Sequence, residues 1–280
     1  MRKICFYFCF LLVAISVFGN DTVRIRETQI PILIDRKDNV LFNLRVDSKQ
    51  SKVLNHVTLR FGNDVKLSEI QSVKLYYSGT EAVQRDGQLN YAPVAYISRE
   101  EVGKTREANR SYSVLKSEKK APAQTVTLTC DQVLFPGINY FWVSLEMKPT
   151  ASLVSKITAE VTEVHMDGKS PIVTIDQGSV VHRMGIGVRH AGDDGVAAYR
   201  IPGLVTSNKG TLLGVYDIRY NNSADLQERV DIGLSRSTDG GQTWEPMRVA
   251  MTFGEEGGLP SAQNGVGDPA ILVDKKTGTI

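Results

Sequence analysis

From about residue 25 onward, apolar and polar residues alternate with a period of two, the signature of half-buried strands rather than helices. Phe42, Leu44 and Val46 alternate with Asn43 and Arg45, Val57, Leu59 and Phe61 with Thr58 and Arg60, and Val73, Leu75 and Tyr77 with Lys74 and Tyr76. The pattern returns at 126–130, 141–147 and 157–161, and the stretches TQIPILI at 28–34 and VAYIS at 94–98 add two candidates. Each apolar set is expected to face a core and each polar set to face water. On that expectation Tyr76 and Trp142 lie on outer faces, either as ordinary sheet-surface aromatics or as platforms for stacking on sugars. The polar, Lys-rich stretch 104–124 reads as a long exposed loop. No stretch carries three turns of amphipathic helix. About eight short strands across 20–165 predict an all-β domain, a jelly-roll-like β-sandwich and a candidate carbohydrate-binding module.

Turn residues in MDGKSP at 166–171 mark a boundary, so residues 166–180 are expected to form a linker and entry strand. Beyond it glycine becomes dense and short strands are split by tight turns: AAYRIPGLV, TLLGVYDIRY, RVDIGLSRS and PAILVDKKTG. That texture, over 181–280, predicts the four-stranded sheets of propeller blades.

The first 19 residues break from both patterns. Arg2 and Lys3 precede an apolar run from Ile4 to Phe18, followed by Gly19. This reads as a secretory signal peptide, with a retained N-terminal anchor as the alternative. Its removal lowers Lys+Arg from 33 to 31, equal to the 31 Asp+Glu, so the formal charge of +2 argues for neither nucleic acid nor a membrane surface. Cys5 and Cys9 leave with it, and Cys130 alone cannot form an internal disulfide. A disulfide-free secreted protein suits a bacterial periplasm or cell surface. The glycosylation triplets at Asn109 and Asn221 are read as chance. His182 and His190 lack ligand partners at metal-binding spacing, and no phosphate loop, zinc site or redox motif is visible, so neither metal nor cofactor is expected.

Candidate chemistry sits in the second half. AYRIPGLV at 198–205 and YDIRYNNSADLQ at 216–227 each place an arginine inside a strand-like apolar run. Arginine is rarely buried without a partner, so Arg200 and Arg219 either pair internally, with Asp217 or Asp231, or await an external anion. Further on, SRSTDGGQTWE at 235–245 contains Ser237, Asp239, Gly241, Thr243 and Trp244 in the order S-x-D-x-G-x-T-W. Its residues suit a hairpin turn, with Asp239 accepting from backbone N–H groups, glycines at positive φ and Trp244 as an apolar plug. Turn structure accounts for the whole set without catalysis.

Tyr199-Arg200-Ile201-Pro202 resembles the (F/Y)RIP motif of sialidases, and 237–244 resembles the Asp box of that family. The order RIP arginine, second arginine, aspartate, Asp box resembles bacterial exo-α-sialidases of the Asp-box/BNR-repeat family. The resemblance covers roughly 180–280 and implies a six-bladed β-propeller and release of terminal α-linked sialic acid from glycoproteins, oligosaccharides or gangliosides. It implies that Arg200 binds the sugar carboxylate as first member of an arginine triad, that Arg219 orients the sugar, that Asp225 is the general acid/base, and that Asp268 lies near the O4 and N-acetyl groups. The chemistry is consistent, because a guanidinium fork matches a carboxylate bidentately and an ammonium does not. A solvated loop aspartate at 225 and a turn-fixing aspartate at 268 remain the alternatives. As a strand, 198–202 would send Arg200 into the central funnel while Tyr199 and Ile201 anchor in the blade.

Sialidases use a tyrosine nucleophile, since the substrate carboxylate would repel an attacking carboxylate. The resemblance puts that tyrosine, its glutamate and further arginines late in the propeller. A blade takes about 40–50 residues, so 181–280 supply about two of six. The chain is therefore expected to be an N-terminal part of a longer enzyme, inactive alone, and none of Tyr199, Tyr216 and Tyr220 is assigned as nucleophile. A monomer is expected, with sialylated glycans as partners and membrane contact only through glycolipid substrates or a retained anchor. Two alternatives stay open: a sialoglycan-binding lectin or adhesin on the same scaffold, and a trans-sialidase.

Overall fold

The computed structural model describes residues 20–80, 83–85, 88–90, 113–167, 170–176, 178–226 and 228–280. The expected leader at 1–19, the strand at 94–98 and the Asn109 triplet lie outside them. The strands, in chain order, are β1 (Thr22–Glu27), β2 (Ile32–Leu33), β3 (Asn39–Ser48), β4 (Lys52–Phe61), β5 (Ile70–Gly79), β6 (Val83–Arg85), β7 (Gln88–Asn90), β8 (Val114–Lys120) and β9 (Thr125–Leu134). They continue with β10 (Gly137–Met147), β11 (Lys156–Ile157), β12 (Ala159–Met166), β13 (Ile172–Ile175), β14 (His182–Gly185), β15 (Ala198–Thr206), β16 (Leu212–Arg219), β17 (Val230–Ser237) and β18 (Arg248–Met251). Helical structure among the described residues is confined to three-residue 3₁₀ turns. None is long and apolar enough to cross a membrane. The class is all-β, and the sheets stay open rather than closing into barrels.

Two compact units emerge. The first comprises the described residues up to Ile30, Asp38–Glu146 and Ile157–His182. It holds a six-stranded sheet, order β13-β1-β3-β10-β5-β8, and a three-stranded sheet, order β12-β4-β9. Ile25, Leu44, Leu75 and Phe141 of the larger sheet and Leu59, Phe61 and Leu128 of the smaller are at most 2% exposed. Burying each such side chain contributes roughly 1.5–3 kcal/mol.

The larger sheet departs from simple alternation. Tyr76 and Trp142 are not on a wet face: they are 4% and 0% exposed, stack with ring centroids 4.3 Å apart, and form a second small core with Val40. Their polar atoms are partnered, Trp142 Nε1 donating to Ser113 Oγ at 2.9 Å and Tyr76 Oη to Asp38 Oδ1 at 2.9 Å. Lys74 is buried on that face and pairs with Glu146 at 2.8 Å and Asp38 at 3.3 Å. Burial disfavours its charge, but the two carboxylates outweigh burial and hold its pKa above the ordinary lysine value. The central strands are thus covered on both faces, so neither aromatic is free to stack on a sugar. The loop expected at 104–124 is corrected too. Val114–Lys120 is β8, antiparallel to β5 with Leu75 opposite Ser117. It is an edge strand, where lysines protect unpaired backbone against pairing with other chains, so its charge hides its strand character.

The second unit comprises Pro31–Lys37, Met147–Lys156 and Arg183–Ile280. Its main feature is the antiparallel sheet β15-β16-β17-β18, joined in chain order. The inner strands β16 and β17 are buried on nearly every residue, whereas β18 is exposed throughout. Tyr216 lies flat against β17: a Cβ added at Gly233 would sit 2.3 Å from its ring, so only glycine fits there.

Candidate functional site

Strand pairing brings the two arginines together. Arg200 on β15 lies opposite Asp217 on β16, and Arg219 follows two residues later. Side chains two apart on a strand, and directly opposed across a pair, share a face. Arg200, Asp217 and Arg219 therefore project from one face, while Tyr216 and Ile218 pack on the other with Val196. Tyr199 meets Tyr216 edge-on at 5.3 Å on that second face.

Arg219 is held completely. Its side chain is 3% exposed, and that of Asp217 1%. Asp217 Oδ2 accepts from Nη2 at 2.7 Å and Nε at 3.2 Å. Nη1 donates to Asp225 Oδ1 at 2.6 Å and to the backbone carbonyls of Ala224 at 2.7 Å and Ser223 at 3.0 Å. Burial opposes its charge, yet Asp217 and Asp225 more than offset this and raise its pKa. The other oxygen of Asp217 accepts from Asp268 N at 2.9 Å. One buried carboxylate thus fixes both the Arg219 guanidinium and the backbone of Asp268, whose own side chain is exposed and whose φ is +59°.

Arg200 is different. Its side chain is 44% exposed. Nη1 donates to Ser223 O at 2.9 Å and stands 3.5 Å from Asp225 Oδ1. Among the described residues Nε and Nη2 make no hydrogen bond, so that edge of the fork is open to an anion. Asp225, with a side chain 77% exposed, sits between the arginines. The hydrogen bond and charge of Arg219 hold its carboxyl below the ordinary aspartate value, with a smaller contribution from Arg200. Arg200, Arg219 and Asp225 form one cluster, and Asp268 joins it through its backbone.

Ile201 does not anchor as expected. The β15–β16 register shifts between Arg200 and Gly203, and Ile201 takes φ +51° with 37% exposure. A β-branched residue in left-handed backbone is strained by about 1–3 kcal/mol. The bulge immediately follows the arginine and re-aims the strand there.

The turn at 237–243 is a dense hydrogen-bond set, and Trp244 Nε1 beside it is buried without a partner among the described residues. Asp239 Oδ1 accepts from Ser237 Oγ at 2.7 Å and Thr243 N at 3.0 Å, Oδ2 accepts from Thr243 Oγ1 at 2.5 Å, and Gly241 N donates to Ser237 Oγ at 2.9 Å. The Thr243 hydroxyl, then its N–H, then Ser237 drive the Asp239 pKa strongly down. Gly241 supplies φ +93°. The Trp244 ring lies over Gly214 of β16, where an added Cβ would be 3.5 Å from Cζ3.

Nearby phenols are not activated. Tyr220 Oη donates to Asp231 at 2.9 Å, and burial plus that carboxylate push its pKa up to about 12. Burial and Asp194 raise that of Tyr199 as well. Two participants escaped sequence reasoning: Asp217 as a tether to Asp268, and the Ser223 carbonyl shared by both arginines. The i, i+2 pair Asp217/Arg219 was the available signal for the first; a backbone acceptor leaves none.

Comparison with known proteins places this geometry in context. Residues 20–170 match the N-terminal domain of BNR-repeat neuraminidase. The chain is 61% identical over 274 residues to a sialidase of Bacteroides fragilis, covering 98% of this chain and 50% of that protein. It is 39% identical over 89 residues to a sialidase of Micromonospora viridifaciens, covering 32% of this chain and 13% of that protein. In structure it resembles the Hadza microbial sialidase Hz136, with a TM-score of 0.76 and 55% identity across 91% of this chain and 49% of that one. The chain belongs to the BNR-repeat neuraminidase family. It spans about half the length of the Bacteroides fragilis sialidase.

Proposed function

We propose that this chain serves a retaining exo-α-sialidase, releasing terminal α-linked sialic acid from sialylated glycoproteins, oligosaccharides or gangliosides. The observation that carries the proposal is the convergence of Arg200 and Arg219 on Asp225 and the Ser223 carbonyl, with one guanidinium edge left open. The relatives' names lend independent support.

Arg200 takes the sugar carboxylate through its open edge, in the bidentate geometry that guanidinium favours. Arg219 is already satisfied by Asp217, so it acts as a fixed positive wall that orients Asp225. At rest Asp225 is ionised, the wrong state for an acid. A bound substrate carboxylate neutralises Arg200 and adds a like charge, and both effects raise the Asp225 pKa. The protonated carboxyl then donates to the leaving glycosidic oxygen, and the carboxylate later takes a proton from water. The tyrosine nucleophile, its glutamate and further arginines belong, in this proposal, to sequence beyond residue 280, and residues 1–280 alone turn over no sialoside.

In the same proposal, β15–β18 form the first propeller blade, the 237–244 turn is its Asp box, and the two sheets of the first unit form a jelly-roll-like sandwich. Residues 1–19 act as a signal peptide that sends a monomer to the periplasm or cell surface; the stretch 166–180, expected as a linker, instead contributes β13, which pairs in parallel with β1 at the edge of the larger sheet. Fluorogenic sialoside hydrolysis by the longer protein tests this. Asp225→Asn is expected to lower turnover by roughly 10²–10⁴-fold, and Arg200→Ala to raise KM. Glycan binding without turnover would instead identify a lectin, and full activity in Asp225→Asn would remove the assigned acid.

A further inference from the structure

The outer face of the smaller sheet in the first unit gathers three donors that take no part in any packing described above. His56 on β4 lies directly opposite His165 on β12. Their imidazoles stack with centroids 5.0 Å apart and planes 9° from parallel. Glu163, two residues before His165 on the same face, brings Oε2 to 3.4 Å from His56 Nε2. One ligand atom from each of the three lies within 4.8 Å of the others. His56 and His165 are half-buried and Glu163 is exposed, so the cluster is reachable from solvent.

We propose that His56, Glu163 and His165 bind a zinc ion. Two imidazoles are held side by side on paired strands, with a carboxylate beside one of them. Two nitrogens and one carboxylate oxygen form a borderline donor set that suits zinc and excludes calcium and magnesium, which take oxygen ligands. The rings are stacked, so one imidazole must turn out of the stack before both nitrogens and the carboxylate oxygen converge on a tetrahedral ion. Three protein donors leave a fourth place for water or an incoming ligand. The donors come from strands already paired, so little ordering entropy opposes binding. The ion has a structural consequence as well. The β4–β12 register shifts on both sides of this pair, between Val161 and Glu163 and between His165 and Met166. A metal bridging His56 to His165 clamps the register between two bulges, where backbone pairing alone holds it least. The site was invisible in the sequence because its histidines lie 109 residues apart. The proposal is independent of the sialidase assignment.

The test uses the 280-residue chain without a polyhistidine tag, stripped with chelator and titrated with zinc chloride. One zinc per chain by calorimetry and a zinc-dependent rise in the thermal midpoint are expected, with no rise from calcium. His56→Ala and His165→Ala should each lose that rise, and Glu163→Gln should weaken it, all three melting like wild type without zinc. X-ray absorption at the zinc edge, read on the wild-type chain, should show two imidazole nitrogens and so does not depend on any variant folding. No midpoint shift in wild type, an equal shift in the doubly substituted His56→Ala/His165→Ala chain, or a spectrum without imidazole overturns the proposal.

Discussion

The two units spend their sequence differently. In the first, β3 and β10 are buried on both faces, down to Asn43, Asn139 and Ser144; Asn139 Nδ2 donates to Phe135 O and Ser144 Oγ to Asp38 Oδ1, while Asn43 Oδ1 has no partner among the described residues. In the second, β16 and β17 are the covered strands of the four-stranded sheet, while Leu204, Val249, Met251, Phe253 and Leu272 stand 48–73% exposed. The first unit is organised around apolar burial. The second is organised around fixed charges and hydrogen-bonded turns. Burial of this kind changes little with pH, whereas carboxylate networks change greatly, so the units should fail under different conditions.

The sharpest way to break that contrast is to remove one central group from each. Trp142→Ala should destabilise the first unit by about 3–5 kcal/mol, because it empties a fully buried site. Asp217→Ala should cost the second unit about 3 kcal/mol, the low end for breaking a buried pair, since Asp225 still faces Arg219. Hydrogen exchange read strand by strand checks both. Faster exchange is expected in β3, β5 and β10 for the first variant and in β15–β17 for the second. Uniform loss across both units would show that they melt as one body.

Acid should separate them next. Asp225, Asp239 and Asp274 in the second unit are held below the ordinary aspartate value: Asp225 chiefly by Arg219, Asp239 by Thr243 and Asp274 by the Thr277 hydroxyl. In the first unit Asp21 shifts the same way, burial raising it but Lys52 and the Lys49 N–H prevailing. A depressed native pKa means the unfolded chain binds more protons, so the stabilisation is present above about pH 4 and is lost as pH falls through the native values. The second unit should therefore lose its thermal midpoint more steeply between about pH 5 and pH 2, and Asp239→Asn should flatten that slope. Equal slopes in the two units would contradict it. The smallest effect concerns backbone strain. Ile201→Gly should stabilise β15 slightly, by about 1 kcal/mol or less, because relief at positive φ is partly offset by glycine's entropy. A loss of stability in that variant would mean the side chain, not the backbone, matters at 201.

Most strands were legible because alternation reports directly on a one-sided sheet. It misled wherever that premise failed. Tyr76 and Trp142 looked solvent-facing because period two cannot reveal that the outer face is buried as well. Val114–Lys120 looked like a loop because edge protection and solvation call for the same lysines. The proximity of Arg200, Arg219 and Asp225 was legible from their spacing on adjacent strands. The bulge at Ile201 was not, since a β-branched residue in left-handed backbone contradicts its own local preference and is imposed by tertiary structure. The tether from Asp217 to Asp268 spans 51 residues and leaves no local trace.

That tether has a further consequence. A strand residue and a distant loop share a single carboxylate, so they are not separate variables for engineering. Rebuilding 265–268 would also disturb the neighbouring guanidinium, so Asp217 and that loop should be varied together.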